Sequence, residues 1–146
     1  MNTEPAARAF SVPVRVYFQD TDAGGIVYHG VYLNFFERVR MEWLRALGFE
    51  VRRLIEEFGV LFVVRTLAVQ YHRPARLDEE LHVSVAVGRT GGAQMSLVQD
   101  VMRDGERLVA AQVGLACVSS ADLKAARMPS ALRAACTDWS LGTLST

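Results

Sequence analysis

"DTDAGGIVYHGVYLNFFERVRMEWLRALGF" runs from Asp20 to Phe49, and its second half decides the fold. From Val31 onward, Tyr32, Phe36, Val39, Trp43 and Leu47 recur at spacings of three and four, with Phe35 beside them. That period gathers them on one apolar stripe of a helix. Glu37, Arg38, Arg40, Glu42 and Arg45 lie mostly off the stripe, and Arg38 and Glu42, four apart, are placed to pair on the surface. Gly48 is suited to end the helix. Val31, Leu33 and Met41 broaden the apolar surface, so this helix needs a large partner to cover it.

The partner is written on either side of it. Val14, Val16 and Phe18 alternate with Arg15, Tyr17 and Gln19, which reads as a strand with one apolar face. Residues 1–11 read as a loose lead-in. A short helical turn from Val51 to Phe58 ends at Gly59, and strand patterns then follow without interruption. Phe62 to His72 is rich in valine and aromatics, and Pro74 closes it. Leu81, Val83, Val85 and Val87 alternate with His82, Ser84 and Ala86. Arg89 to Gly92, "RTGG", reads as a turn into a strand from Met95 to Arg103. Asp104-Gly105 is a hairpin signal into Arg107 to Val118. Small residues at Ala110, Gly114 and Ala116 suggest that something large packs on that face, plausibly the helix. The tail after Ser120 reads as a turn and a short helix. Strands in a run with helices set apart predict one α+β domain over residues 1–146, with about five antiparallel strands wrapped round the central helix. So small a domain leaves apolar surface uncovered, which predicts a homo-oligomer.

Composition narrows the partners. The 146 residues carry 16 basic and 16 acidic side chains, which argues against nucleic acid or an anionic membrane as partner. No stretch approaches the roughly 20 apolar residues of a membrane span. "MNTEPAARAF" has no apolar signal-peptide core, so a soluble cytoplasmic protein is expected. Cys117 and Cys136 stand in no redox or metal spacing and read as reduced thiols. His29, His72 and His82 are scattered, and neither a metal nor a cofactor is expected.

The chemistry sits in the first half of the opening stretch. Asp20 reads as a turn or cap residue. Asp22 precedes Gly24-Gly25, and apolar Ile26 and Val27 should carry the loop inward. A carboxylate beside such a wall can be desolvated and act as base or nucleophile. His29 stands at the helix start, either as a neighbour-bonded structural histidine or as a site residue. Gly30 lets a ligand come close to the backbone. The first amides of the helix lack internal acceptors and can bind developing charge on a carbonyl oxygen. Together these point to acyl transfer or hydrolysis.

At these residues the chain resembles hot-dog-fold thioesterases of the 4-hydroxybenzoyl-CoA thioesterase family, most of all the subgroup associated with the bacterial Tol-Pal system. The resemblance rests on the Asp-x-Asp, Gly-Gly and Tyr-His combination and continues through "FVVRTLAVQYHRPARLDEEL", Phe62 to Leu81. It implies a hot-dog fold, dimers with sites at the interface, and often tetramers. It implies Asp22 as the catalytic carboxylate, whether attacking the carbonyl or activating water. It implies helix-start amides near Tyr28, His29 and Gly30 as the carbonyl's donors, and His29 as part of the site. Glu37, a helix glutamate of the kind another branch uses as base, reads here as a surface residue.

Coenzyme A phosphates call for basic contacts, for which Arg89 beside Gly91-Gly92 is a candidate. Arg73, Arg76, Arg103 and Arg107 qualify equally by charge, and acyl-carrier protein stands beside coenzyme A as the acyl carrier. The leading reading is an acyl-thioester hydrolase. An acyl-thioester hydratase or dehydratase on the same fold, and a non-catalytic thioester-binding module linked to cell-envelope or lipid-synthesis proteins, are the alternatives.

Overall fold

The computed structural model describes residues 9–140. The apolar alternation at the start forms strand β1, Phe10–Arg15. It ends sooner than the pattern suggests: Val14 and Val16 are buried, but Phe18 is 81% exposed in a single 3-10 turn, Phe18–Asp20. The chain turns there because the carboxylate of Asp20 accepts the Tyr17 amide at 2.8 Å, which competes with strand pairing.

Helix α1 spans Val31–Ala46 and buries Tyr32, Phe35, Phe36, Val39, Trp43 and Leu44. Gly48, at φ +88°, takes the left-handed conformation that stops it. Helix α2, Val51–Phe58, follows and ends at Gly59, φ +65°. The expected Arg38–Glu42 pair does not form. Glu42 pairs with Arg45 at 2.8 Å, and the Arg38 guanidinium lies 6.0 Å from the centre of the Phe35 ring. Both arrangements lie at the surface, where such contacts differ little in energy.

Four long strands complete the chain: β2 Val60–Tyr71, β3 Glu80–Thr90, β4 Gln94–Arg103 and β5 Glu106–Ser119. They are two to three residues longer than the sequence patterns in places, and Arg89 and Thr90 belong to β3 rather than to the turn. All pairings are antiparallel, in the order β1-β3-β4-β5-β2. A last helix, α3, covers Ser130–Thr137, as the tail pattern suggests.

The sheet curls round α1, and one core joins Phe36, Val39 and Trp43 to Val83, Val85, Leu97, Val101 and Val113. A polar pin fastens helix to sheet. The side-chain amide of Gln99, fully buried on β4, donates to the carbonyls of Phe36 (3.2 Å) and Ser84 (3.3 Å). Its oxygen accepts from Arg40 at 2.8 Å, so the buried amide has partners on both sides. The small residues Ala110 and Gly114 do not face the helix. Gly114 lies opposite Thr66 and Ser96 on the other face, where a β-carbon would come within 2.2 Å of Thr66 Oγ1. Period-two alternation gives the parity of a face; it does not say which face a helix covers. Cys117 and Cys136 are buried, unpaired thiols.

Candidate active site

The loop between β1 and α1 is held by its own hydrogen bonds. Asp20 is its hinge: its carbonyl accepts the Tyr28 amide at 3.0 Å while its carboxylate holds Tyr17. Asp22 accepts from the Gly24 amide through Oδ1 at 2.8 Å, and its own amide donates to Ile26 at 2.9 Å. The two glycines serve the loop in different ways. A β-carbon on Gly24 would press to 3.3 Å of Asp22 Oδ1, and Gly25 sits at φ +80°. Val27 is buried and Ile26 half-buried, so the apolar pair does carry the loop inward. Asp22 itself is exposed in the single chain and is not sealed against that wall.

At the helix start, Val31 donates to Tyr28 and Leu33 to Gly30. The Tyr28 amide is therefore committed to Asp20, which removes one of the three expected carbonyl donors. Among the described residues, the amides of His29 and Gly30 meet no acceptor. The open space expected at Gly30 is taken by the Tyr28 ring, which a β-carbon would approach to 3.2 Å. Tyr28 and His29 are both exposed, with ring centres 4.4 Å apart.

Asp22 and His29 open on one cavity of about 350 Å³, walled also by Tyr32, Tyr71, His72 and Arg73. These four come from α1 and from the end of β2 and the loop beyond it. The Tyr71 hydroxyl donates to the His29 carbonyl at 3.0 Å, tying β2 to the helix start. Tyr32, 2% exposed, accepts the Ala75 amide at 3.1 Å, and burial raises its phenol further above the ordinary value, so it stays protonated. Of the four, Arg73 alone is marked in sequence as a possible site residue, by its charge; it is paired with Glu106. Tyr32 reads in sequence as plain core. Tyr71 and His72 follow the apolar run of β2 with no local mark of a site.

Behind this wall an ion cluster fixes the loop. Arg103 bridges Glu79 (2.8 Å) and Glu106 (3.1 Å) and donates to the Pro74 carbonyl at 3.2 Å. Burial pushes the Glu79 carboxyl up, but the Arg103 guanidinium and the Arg76 amide outweigh it and hold it below its ordinary value. Arg89 faces a different cavity, about 500 Å³, which it shares with Arg65. Glu37 is exposed and does not line the Asp22 cavity. Burial pushes the Cys136 thiol up to about 11, and raises that of Cys117, so neither is a ready thiolate nucleophile.

Residues 24–110 match the thioesterase superfamily; Asp22 lies just ahead of that span. The chain is 47% identical over 126 residues to an acyl-CoA thioesterase, YbgC, of Haemophilus influenzae, covering 86% of this chain and 93% of that protein. It is 39% identical over 124 residues to the Escherichia coli acyl-CoA thioester hydrolase YbgC, covering 84% and 92%. Among solved structures, a probable thioesterase from Bartonella henselae superposes with a TM-score of 0.79 at 36% identity, covering 83% of this chain and 99% of that one. With a five-stranded antiparallel sheet wrapped round one helix, the chain has the hot-dog fold and belongs to the thioesterase superfamily.

Proposed function

We propose that this protein hydrolyses acyl thioesters of coenzyme A at the Asp22 cavity. The observation that carries the reading is the opening of Asp22 beside a helix start whose His29 and Gly30 amides have no acceptor. In the base form, Asp22 takes a proton from water as the water oxygen attacks the thioester carbon. The carbonyl oxygen becomes an oxyanion and draws on the free amides. Collapse expels the thiolate, and the proton held by Asp22 passes to it, leaving acid and thiol. In the nucleophile form, the Asp22 carboxylate attacks the thioester carbon and expels the thiolate; water then cleaves the resulting anhydride, which frees the acid, restores the carboxylate and supplies the proton that the thiolate takes up. His29 orients water or substrate, and Tyr28 and Gly30 shape the approach to the carbonyl.

Asp22→Asn is expected to lower kcat by about 10²–10⁴-fold, the usual reach of general acid–base catalysis, with an unchanged melting temperature. Free-thiol release from a panel of acyl-CoA and acyl-carrier-protein thioesters measures this; full turnover by the variant would remove Asp22 from the chemistry. A hydratase would instead leave the thioester intact and shift its mass by one water. A binding module would retain the thioester unchanged.

The working form is proposed to be a dimer joined along the free edge of β2, with two dimers forming a tetramer. Val64, Leu67 and Tyr71 on that edge strand are 44–48% exposed, and a long apolar edge invites pairing. Tyr71 lies in the Asp22 cavity, so a partner strand there supplies the cover that the exposed carboxylate lacks. No described helix is long and apolar enough to cross a membrane. A cytoplasmic site of action, and a link to the Tol-Pal envelope system, complete the proposed reading.

A further inference from the structure

Three carbonyls stand in a row at the start of α1, and they are held in different ways. That of Tyr28 accepts the Val31 amide at 2.9 Å, and that of Gly30 accepts the Leu33 amide at 3.2 Å. The His29 carbonyl between them meets no backbone donor among the described residues. Its partner is the Tyr71 hydroxyl, which donates to it at 3.0 Å from the end of β2, 42 residues along the chain. The first turn of the helix closes through the other two carbonyls, without Tyr71.

The Tyr71 bond fixes more than an oxygen. The His29 carbonyl and the Gly30 amide belong to one planar trans peptide and point in opposite directions. Whatever holds that carbonyl therefore aims that amide. The peptide turns about ψ of His29 and φ of Gly30, and glycine restrains φ least of all residues. Unpinned, it can swing and set an oxygen where the amide stood. Tyr71 makes a firm pin, because its ring packs against the Tyr32 ring at 5.7 Å and edge-on to the His29 ring at 6.3 Å. A hydroxyl proton on the carbonyl oxygen also draws electron density along the peptide, which makes the Gly30 N–H a stronger donor.

We infer that Tyr71 is a positioning residue for hydrolysis: through the His29–Gly30 peptide it aims and strengthens the Gly30 amide that takes up the oxyanion's charge. This role presupposes hydrolysis at the Asp22 cavity. The amide gains most where charge develops on the carbonyl oxygen, so the effect falls on kcat rather than on KM.

Tyr71→Phe keeps the ring and removes the hydroxyl. Free-thiol release should show kcat lower by about 3–10-fold, the worth of one neutral hydrogen bond, with KM unchanged. Light scattering should find the wild-type assembly. The donor itself is read with a ketone analogue of the acyl-CoA that has the highest kcat/KM, carrying CH2 in place of the thioester sulfur and 13C at the carbonyl. Its bound carbonyl stretch should lie at lower frequency in the wild type than in Tyr71→Phe. Lost packing alone would leave the two frequencies equal. Thiol release by the wild type with equal frequencies in both proteins, or with full kcat in Tyr71→Phe, would overturn the role of Tyr71 alone. No thiol release by the wild type from any thioester of the panel would overturn the hydrolytic reading, and this role with it.

Discussion

Gly24 shows how a residue without a side chain can govern one that has it. The space where its β-carbon would sit is bordered by Asp22 Oδ1 at 3.3 Å, and its amide is the donor that orients that carboxylate. Its backbone is not in the left-handed region, so alanine is tolerated conformationally. Gly24→Ala is therefore expected to lower kcat by moving Asp22 while unfolding free energy changes by no more than about 0.5 kcal/mol, which paired kinetics and denaturation measurements would test. The role of Asp20 is legible in sequence because aspartate bonds backbone locally, and it does so here. Tyr71 and His72 are not legible: they lie more than 40 residues beyond His29, and only the sheet order brings them to it.

At the level of elements, α1 is the part most easily read. Its apolar period is long, and each large side chain on the stripe is buried apart from Leu47 at its end. The face of β5 is the part misread, because Gly114 is small for a neighbour in another strand rather than for the helix. Gly114→Ala drives a β-carbon into Thr66 Oγ1 and is expected to destabilise the protein by about 1–3 kcal/mol, as overpacking does. Thr66→Ala should recover most of the loss, and a double-mutant cycle of unfolding free energies measures that coupling.

The loop after β2 makes a pH prediction. Glu79 has a folded pKa below its unfolded one, so its ionised form stabilises the fold above the ordinary carboxylate range. That contribution disappears as pH falls through the folded value. Glu79→Gln should accordingly destabilise at pH 7 and approach the wild type as pH falls below the ordinary carboxylate range, as denaturation midpoints across an acid titration would report.

For the molecule as a whole, the free edge of β2 is the feature that solution measurements test. Leu67→Glu would set like charges against each other across a pairing of two copies. Light scattering should then find a smaller assembly, and thioester hydrolysis should fall with it, because Tyr71 of the same strand walls the cavity. The sheet-and-helix architecture was readable in outline from periodicity. The cavity is not, since its walls come from the loop before α1 with the first turn of that helix and from the end of β2 with the loop beyond it, and periodicity carries no information about which ends meet.

One consequence follows from where the groups of the proposed site reside. The hinge carboxylate, Asp22 and the free amides all fall within residues 20–30, on a segment that largely binds to itself. The opposite wall is encoded far downstream. The proposed reacting groups thus form one local unit of sequence, and the facing wall is a second one. Substitutions in the distant wall can therefore reshape the cavity while leaving the hydrogen bonds within residues 20–30 intact.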